Sequence, residues 1–184
     1  MRRPLLRAGF VASVVATTVA PLAAAVPPSR EIGFAILNDN EPIGHHSVTF
    51  AHRGDDLVVE IAIEIEVRFA FLALFRYQHE NREVWRDGQL VSLDTWTDDN
   101  GTRYAVTARA TSQGLRVEGA DGVFLAPKDI IPTSYWNPVT VEQTRLLDTQ
   151  HGRLLDVTIR PSGEDLVATG DAAVPANRYS VSGR

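Results

Sequence analysis

The 184-residue chain contains no cysteine, which excludes a disulfide framework, a thiolate metal site, a cysteine nucleophile and the lipid-modified cysteine of a bacterial lipoprotein. Gly-x-Ser-x-Gly, His-Glu-x-x-His and Gly-rich phosphate-loop motifs are also missing, so the common signatures of serine hydrolases, zinc proteases and nucleotide-binding proteins do not occur. Lysine is nearly absent: Lys128 stands alone among 18 basic residues, a bias that reads as genomic composition. No segment sustains a helical period. With 44% hydrophobic residues the chain has enough apolar material for an ordered core.

At the N-terminus Arg2, Arg3 and Arg7 precede the apolar run Ala8 to Ala20, and Leu22-Ala23-Ala24-Ala25 supplies small residues for cleavage. That order predicts a cleaved secretory signal over 1–25 and one domain over 26–184. The run is too short for a spanning helix, which needs roughly 20 residues, so no transmembrane segment is expected in the mature chain. The Arg pair partly resembles a twin-arginine signal, without the usual Ser or Thr before it. Loss of the three signal arginines takes the formal net charge from -5 to -8. An acidic surface repels phosphate backbones, so nucleic acid is not an expected partner.

From Glu31 onward the pattern has period two with turn signals every 8 to 12 residues or so, which predicts an all-β fold: a single antiparallel, strongly curved sheet or partly open barrel of about nine to eleven strands. Val59, Ile61, Ile63, Ile65 and Val67 alternate with Glu60, Glu64 and Glu66, giving one buried and one wet face. The run Leu57 to Arg86, about 30 residues, is too long for one straight strand, and a bend or bulge is expected within 69–74. Tyr77, His79, Asn81, Glu83 and Trp85 share one face; Arg76, Gln78, Glu80, Arg82 and Arg86 share the other, solvated one. Asn100-Gly101 predicts a two-residue hairpin turn. The register follows: Asp98 opposite Arg103, Thr97 opposite Tyr104, and Leu93, Thr95, Val106 and Ala108 inward.

Further on, 115–119 and 122–126 read as a hairpin. The segment 127–132 is a crossing loop because of its prolines, and 133–138 is an aromatic loop closing one end of the sheet. Gln150-His151-Gly152 is a turn between strands 144–149 and 153–159, with His151 exposed; 166–169 and 177–182 are two more short strands.

Ile43-Gly44, Tyr77-x-His79 followed by Glu83-x-Trp85-x-x-Gly88, Thr97-x-Asp99-Asn100-Gly101, Tyr135-Trp136-Asn137-Pro138, Leu146-Leu147 with Gly152, and Arg178-Tyr179 follow one another in an order that resembles a secreted bacterial family, the domain of unknown function numbered sixty-one thirty-four. The resemblance covers roughly 33–183. It implies export and all-β architecture and assigns no catalytic residue. Similar chains continue past the Arg-Tyr strand into a hairpin with a Trp-Tyr pair, so it also implies a fragment lacking its last strands and an unpaired edge.

The stripe on one face of 77–85 is the best candidate for chemistry. His79 and Glu83 lie about 13 Å apart along a strand, too far for a direct pair, and would need partners on a neighbouring strand. The structural alternative, a hydrogen-bonded polar network, is the expected one. His45 and His46 point to opposite faces and do not share a metal. Asp55-Asp56 and Asp98-Asp99 read as solvated turns.

The leading expectation is an exported, periplasmic or secreted, non-enzymatic protein that binds an apolar small molecule or an envelope protein on its concave face, without cofactor or metal. Phe69, Phe71, Phe75, Trp85, Tyr135 and Trp136 supply the apolar surface, and the candidate ligand-binding set is Phe75, Tyr77, His79, Glu83, Trp85, Tyr135 and Trp136. Two alternatives stand beside it: a hydrolase using His79, Glu83 and a carboxylate on a facing strand, and a structural envelope protein.

Overall fold

A computed structural model of the chain describes residues 26–69, 72–170 and 172–183. The expected signal segment, Phe71 and the side chain of Phe69 lie outside them. Eight strands run as antiparallel neighbours in chain order: β1 (Glu31–Asn38), β2 (Glu41–Arg53), β3 (Asp56–Phe69), β4 (Leu72–Arg86), β5 (Gln89–Asp99), β6 (Thr102–Ala110), β7 (Leu115–Gly119) and β8 (Gly122–Ala126). β1 and β8 are the two edges, so the sheet is not closed into a barrel. A four-stranded sheet follows, ordered β12 (Ala172–Gly183), β11 (Leu154–Thr169), β10 (Arg145–Leu147), β9 (Ile131–Pro132), in which β9 and β10 are parallel. No helix among the described residues is long and apolar enough to cross a membrane.

Tight turns set the meander. Asp39 and Asn40 (φ 50° and 68°), Asp87 and Gly88 (50° and 77°), and Asn100 and Gly101 (51° and 93°) each put two residues at positive φ, the geometry whose twist matches that of a hairpin. The β5–β6 register is the expected one throughout, with Asp98 opposite Arg103, Thr95 opposite Val106 and Leu93 opposite Ala108. Leu93, Thr95, Val106 and Ala108 are all buried.

Three expectations need correction. The run 57–86 is not one bent strand but two strands, β3 and β4, paired over their whole lengths from Leu57 opposite Trp85 to Phe69 opposite Leu72. A reversal needs neither Gly nor Pro when long flanking strands hold it, and pairing is how 30 residues of strand avoid exposing two edges. The segments 153–159 and 166–169 are one strand, β11. Pro161 and Gly163, which lie between the two expected strands, sit at a register shift against β12, with Gly163 at φ 122°; a bulge absorbs the missing N–H of proline without ending the strand. The total is therefore twelve strands.

The core lies on the inner face of the large sheet: Val48 and Phe50 of β2, Val59 and Ile61 of β3, Trp85 of β4, Leu93 of β5, Val106 of β6 and Val117 of β7. Ile131, Trp136, Leu146 and Leu147 cover it from the second sheet and its loops. Beyond Ile159 that second sheet leaves the core, and the far part of the β11–β12 hairpin carries exposed Leu166, Val167, Val174 and Tyr179.

One close approach fixes the loop 148–152 on the sheet. A Cβ on Gly119 would lie 2.5 Å from the His151 carbonyl oxygen and 2.7 Å from Gly152 Cα, and Gly152 itself is at φ 72°. Two glycines are needed where two backbones meet at this distance. The Ala120 N–H donates to the His151 carbonyl at 2.9 Å, closing the junction.

Candidate functional site

Along β4 the inward side chains change from half-buried to sealed: Tyr77 is partly exposed, His79 4% exposed, Asn81 3%, Glu83 0% and Trp85 1%. Strand alternation aims all five at one side, and the loops docked on that side cover the far end. The expected face assignment holds: Gln78, Glu80, Arg82 and Arg86 are exposed on the other side.

Glu83 is the most deeply placed of the polar groups. Its Oε2 accepts hydrogen bonds from the indole N–H of Trp85 at 2.8 Å and of Trp136 at 2.9 Å; its Oε1 accepts from Asn81 Nδ2 at 2.8 Å. Burial pushes the Glu83 carboxyl up from the ordinary carboxylate range, and these donors oppose the shift without cancelling it. The Ser134 hydroxyl lies against the same carboxylate without a well-formed hydrogen bond. The two indoles also pack edge to face, 5.5 Å between centroids, and Trp136 meets Phe50 in the same way.

His79 belongs to a separate network. Its Nδ1 pairs with Thr97 Oγ1 of β5 at 2.8 Å, and its ring stacks on Tyr77 at 6.4 Å. Burial lowers its pKa to about 4, against the pull of Asp148 and with the help of His46. At neutral pH it is an uncharged imidazole. His46 is lowered in the same direction, also by burial.

A cavity of about 390 Å³ opens over these side chains, between β2–β4 and the loops 133–135 and 148–151. Tyr77, His79, Asn81, Ser134, Asp148 and His151 line it, with Ile61 and Ile63 as apolar floor. Asp148 is 8% exposed and fully engaged: Oδ1 accepts from the backbone N–H of Gln150 (2.9 Å) and His151 (3.3 Å), and Oδ2 pairs with His151 Nδ1 (2.9 Å) and Arg153 Nε (3.2 Å). Burial raises the Asp148 carboxyl, and these bonds outweigh it to leave the pKa below the ordinary value. Tyr77 reaches across to Gln150 Oε1 at 3.1 Å, tying the strand to the loop. A second chamber, about 360 Å³, adjoins the first across His46, Ser134 and Tyr135, which line both; Ile32, Phe34, Val48 and Trp136 complete its wall. Tyr135 stands on this shared rim, 59% exposed and at φ 58°, a conformation costly for a bulky residue.

Of the residues singled out from sequence, Tyr77, His79 and Tyr135 meet at the first chamber, and Trp136 lines the second. Glu83 and Trp85 lie beneath both, buried. Phe75 is half-buried on β4 opposite Val67 and lines neither chamber. The carboxylate sought on a facing element is Asp148. It was not anticipated, and neither was its partner: His151, expected in solvent, is partly buried, paired with Asp148 and packed on Tyr104 at 4.7 Å. The available signal was Asp148-x-x-His151-Gly152, a turn in which an Asp side chain accepts from the next backbone N–H groups. His45 and His46 do point to opposite faces, exposed and partly buried respectively. Among the described residues no group of three or more His, Asp or Glu is arranged to hold a metal ion.

Fold and site together define an open antiparallel β-protein with a sealed Glu–Trp–Trp–Asn cluster under a two-chambered cavity. Residues 34–184 match the family described as Domain of unknown function (DUF6134), and the chain belongs to it. No curated protein and no solved structure matches the chain.

Proposed function

We propose that the protein is an exported, non-enzymatic binding protein whose ligand is a small molecule with an apolar body, held in the two adjoining chambers. One observation carries this reading: three buried polar atoms without a protein partner, Asn81 Oδ1, Ser134 Oγ and His46 Nε2, belong to residues that line a single cavity. Unpaired buried polar atoms cost about 1–3 kcal/mol each, so a fold that retains three at one place has a use for them. The neighbouring chamber supplies Phe34, Val48 and Trp136 for an apolar portion. Glu83 and His79 favour binding over proton transfer, because Glu83 is sealed and His79 belongs to a different hydrogen-bond network. Export rests on the basic, apolar and small-residue order of 1–25.

Two measurements test the reading. N-terminal sequencing of the mature protein is expected to begin close to residue 26, and a mature chain beginning at Met1 overturns export. Native mass spectrometry of protein purified from its producing cells is expected to give a mass above that of the polypeptide, which falls to the bare chain on denaturation. A bare mass in the native spectrum, with no change in indole emission on adding apolar small molecules, overturns binding.

A further inference from the structure

We infer that the cavity selects an uncharged ligand that donates a hydrogen bond, a hydroxyl or N–H group on an apolar body, and that Glu83 sets this preference through Asn81. The inference rests on the binding reading above and names the ligand chemistry of that same site.

Asn81 sits on β4 between His79 and Glu83. Its Nδ2 donates to Glu83 Oε1 at 2.8 Å, which leaves Oδ1 as the unpartnered atom of a side chain that is 3% exposed. The amide is not free to turn over, because rotation would set Oδ1 against a carboxylate oxygen, acceptor against acceptor. Nor does the carboxylate have room to adjust: its other oxygen is held by the indoles of Trp85 and Trp136, which are donors only. While Glu83 is a carboxylate, the unsatisfied polar atom of this cavity-lining residue is therefore an acceptor. What satisfies a buried acceptor is a donor.

Charge narrows the class further. No Lys or Arg lines either chamber; of the three imidazoles on the walls, His46 and His79 are held neutral by burial, and His151 is already paired with Asp148. The one carboxylate on the wall, Asp148, already faces His151 and Arg153. An anion placed here would lack a counter-charge, and a cation would compete for an Asp148 that is already paired; both lose hydration without recompense. Alcohols and amide or amine N–H groups of neutral molecules remain.

The test uses three probes of equal chain length at neutral pH: octanol, methyl hexyl ketone and octanoate, titrated by calorimetry and by indole emission. For the natural sequence, octanol is expected to bind roughly tenfold more tightly than the ketone, which only accepts hydrogen bonds, and by at least roughly that factor more tightly than octanoate. In Glu83→Gln the indoles hold the amide oxygen, the new N–H group faces Asn81, and Asn81 turns its own N–H group to the cavity. The alcohol-to-ketone preference is then expected to invert, although residue 83 does not line the cavity. If Glu83→Gln does not fold, Asn81→Ala reads the same atom, and its alcohol-to-ketone ratio is expected to fall to near one. Equal binding of alcohol and ketone by the natural sequence, octanoate as the tightest probe, or an unchanged preference in folded Glu83→Gln overturns the ligand class and leaves the binding reading standing. Failure of all three probes to bind saturably overturns the binding reading and this inference with it.

Discussion

Replacing Gly119 with alanine perturbs the cavity from behind, because Gly119 does not line it but backs onto the loop that does. The new Cβ would stand 2.5 Å from the His151 carbonyl oxygen and 2.7 Å from Gly152 Cα. Both are backbone atoms, so no side chain can swing aside, and relief requires the loop 148–152 to lift from the sheet. Lifting stretches the Ala120-to-His151 backbone hydrogen bond and pulls the Asp148–His151 pair away from His79. Overpacking of this kind costs about 1–3 kcal/mol and a backbone hydrogen bond about 1 kcal/mol, so the loss is about 2–4 kcal/mol. In a domain of this size each kcal/mol moves the melting temperature by about 2–4 °C, giving a fall of roughly 5–15 °C. The control is Gly33→Ala, where an added Cβ meets nothing within 4 Å. Thermal melts of the two variants decide the stability argument, and imidazole NMR signals report whether His79 and His151 have changed surroundings. Equal melting of Gly119→Ala and Gly33→Ala would refute the claim that the two glycines hold the loop in place.

Three other outcomes are expected. Gly101→Val is expected to lower stability by about 1–3 kcal/mol, because Gly101 sits at φ 93°, while Thr102→Val changes little; equal denaturant midpoints would contradict the turn geometry. Trp136→Phe keeps the ring packing but removes an N–H donor from a fully buried carboxylate, with an expected loss of about 1.5–3 kcal/mol in urea unfolding, and an unchanged midpoint would show that the donor contributes nothing. His79 has a folded pKa of about 4 against 6.5, so its contribution is complete above pH 6.5 and is lost as the pH falls toward 4, about 3 kcal/mol in all. Glu83, shifted up, acts with the opposite sign: its contribution is present below 4.5 and lost as the pH rises through its folded value. Subtracting the pH profile of His79→Gln from that of the natural sequence isolates the histidine, and parallel profiles over this range would refute its burial as a neutral ring.

Local rules reach some parts of this molecule and not others. Asn100-Gly101 defines a turn, a turn defines a register, and the register defines which of Leu93, Thr95, Val106 and Ala108 face inward; every link is short-range and the structure follows it. Alternation likewise separates the two faces of β4. The β3–β4 reversal was hidden because no turn residue marks it, and the continuity of β11 was hidden because the alternation lapses between 159 and 166, where pairing with β12 carries the strand through. The cavity is less legible still. His79 shares a cavity with Asp148, and Trp136 meets Glu83, only because a loop after β9 and a turn after β10 fold back over β4, and no periodicity encodes the juxtaposition of elements so far apart in the chain.

The division of labour along β4 follows from where the loops land. His79 finds its partner on β5, Thr97, while Glu83 finds one in a loop, Trp136, and two on its own strand, Trp85 and Asn81. A carboxylate buried among indoles is a poor way to gain stability, since replacing such a group with well-packed apolar side chains often costs nothing. Its value lies in direction. Two donor-only indoles fix one oxygen and turn the other toward Asn81, so a carboxyl group that no ligand can touch dictates which atom of Asn81 a ligand would meet. The pattern that suggested acid–base chemistry, His79 and Glu83 on one face, is thereby separated into two jobs: a neutral imidazole on the cavity wall and a sealed carboxylate that orients the side chain between them.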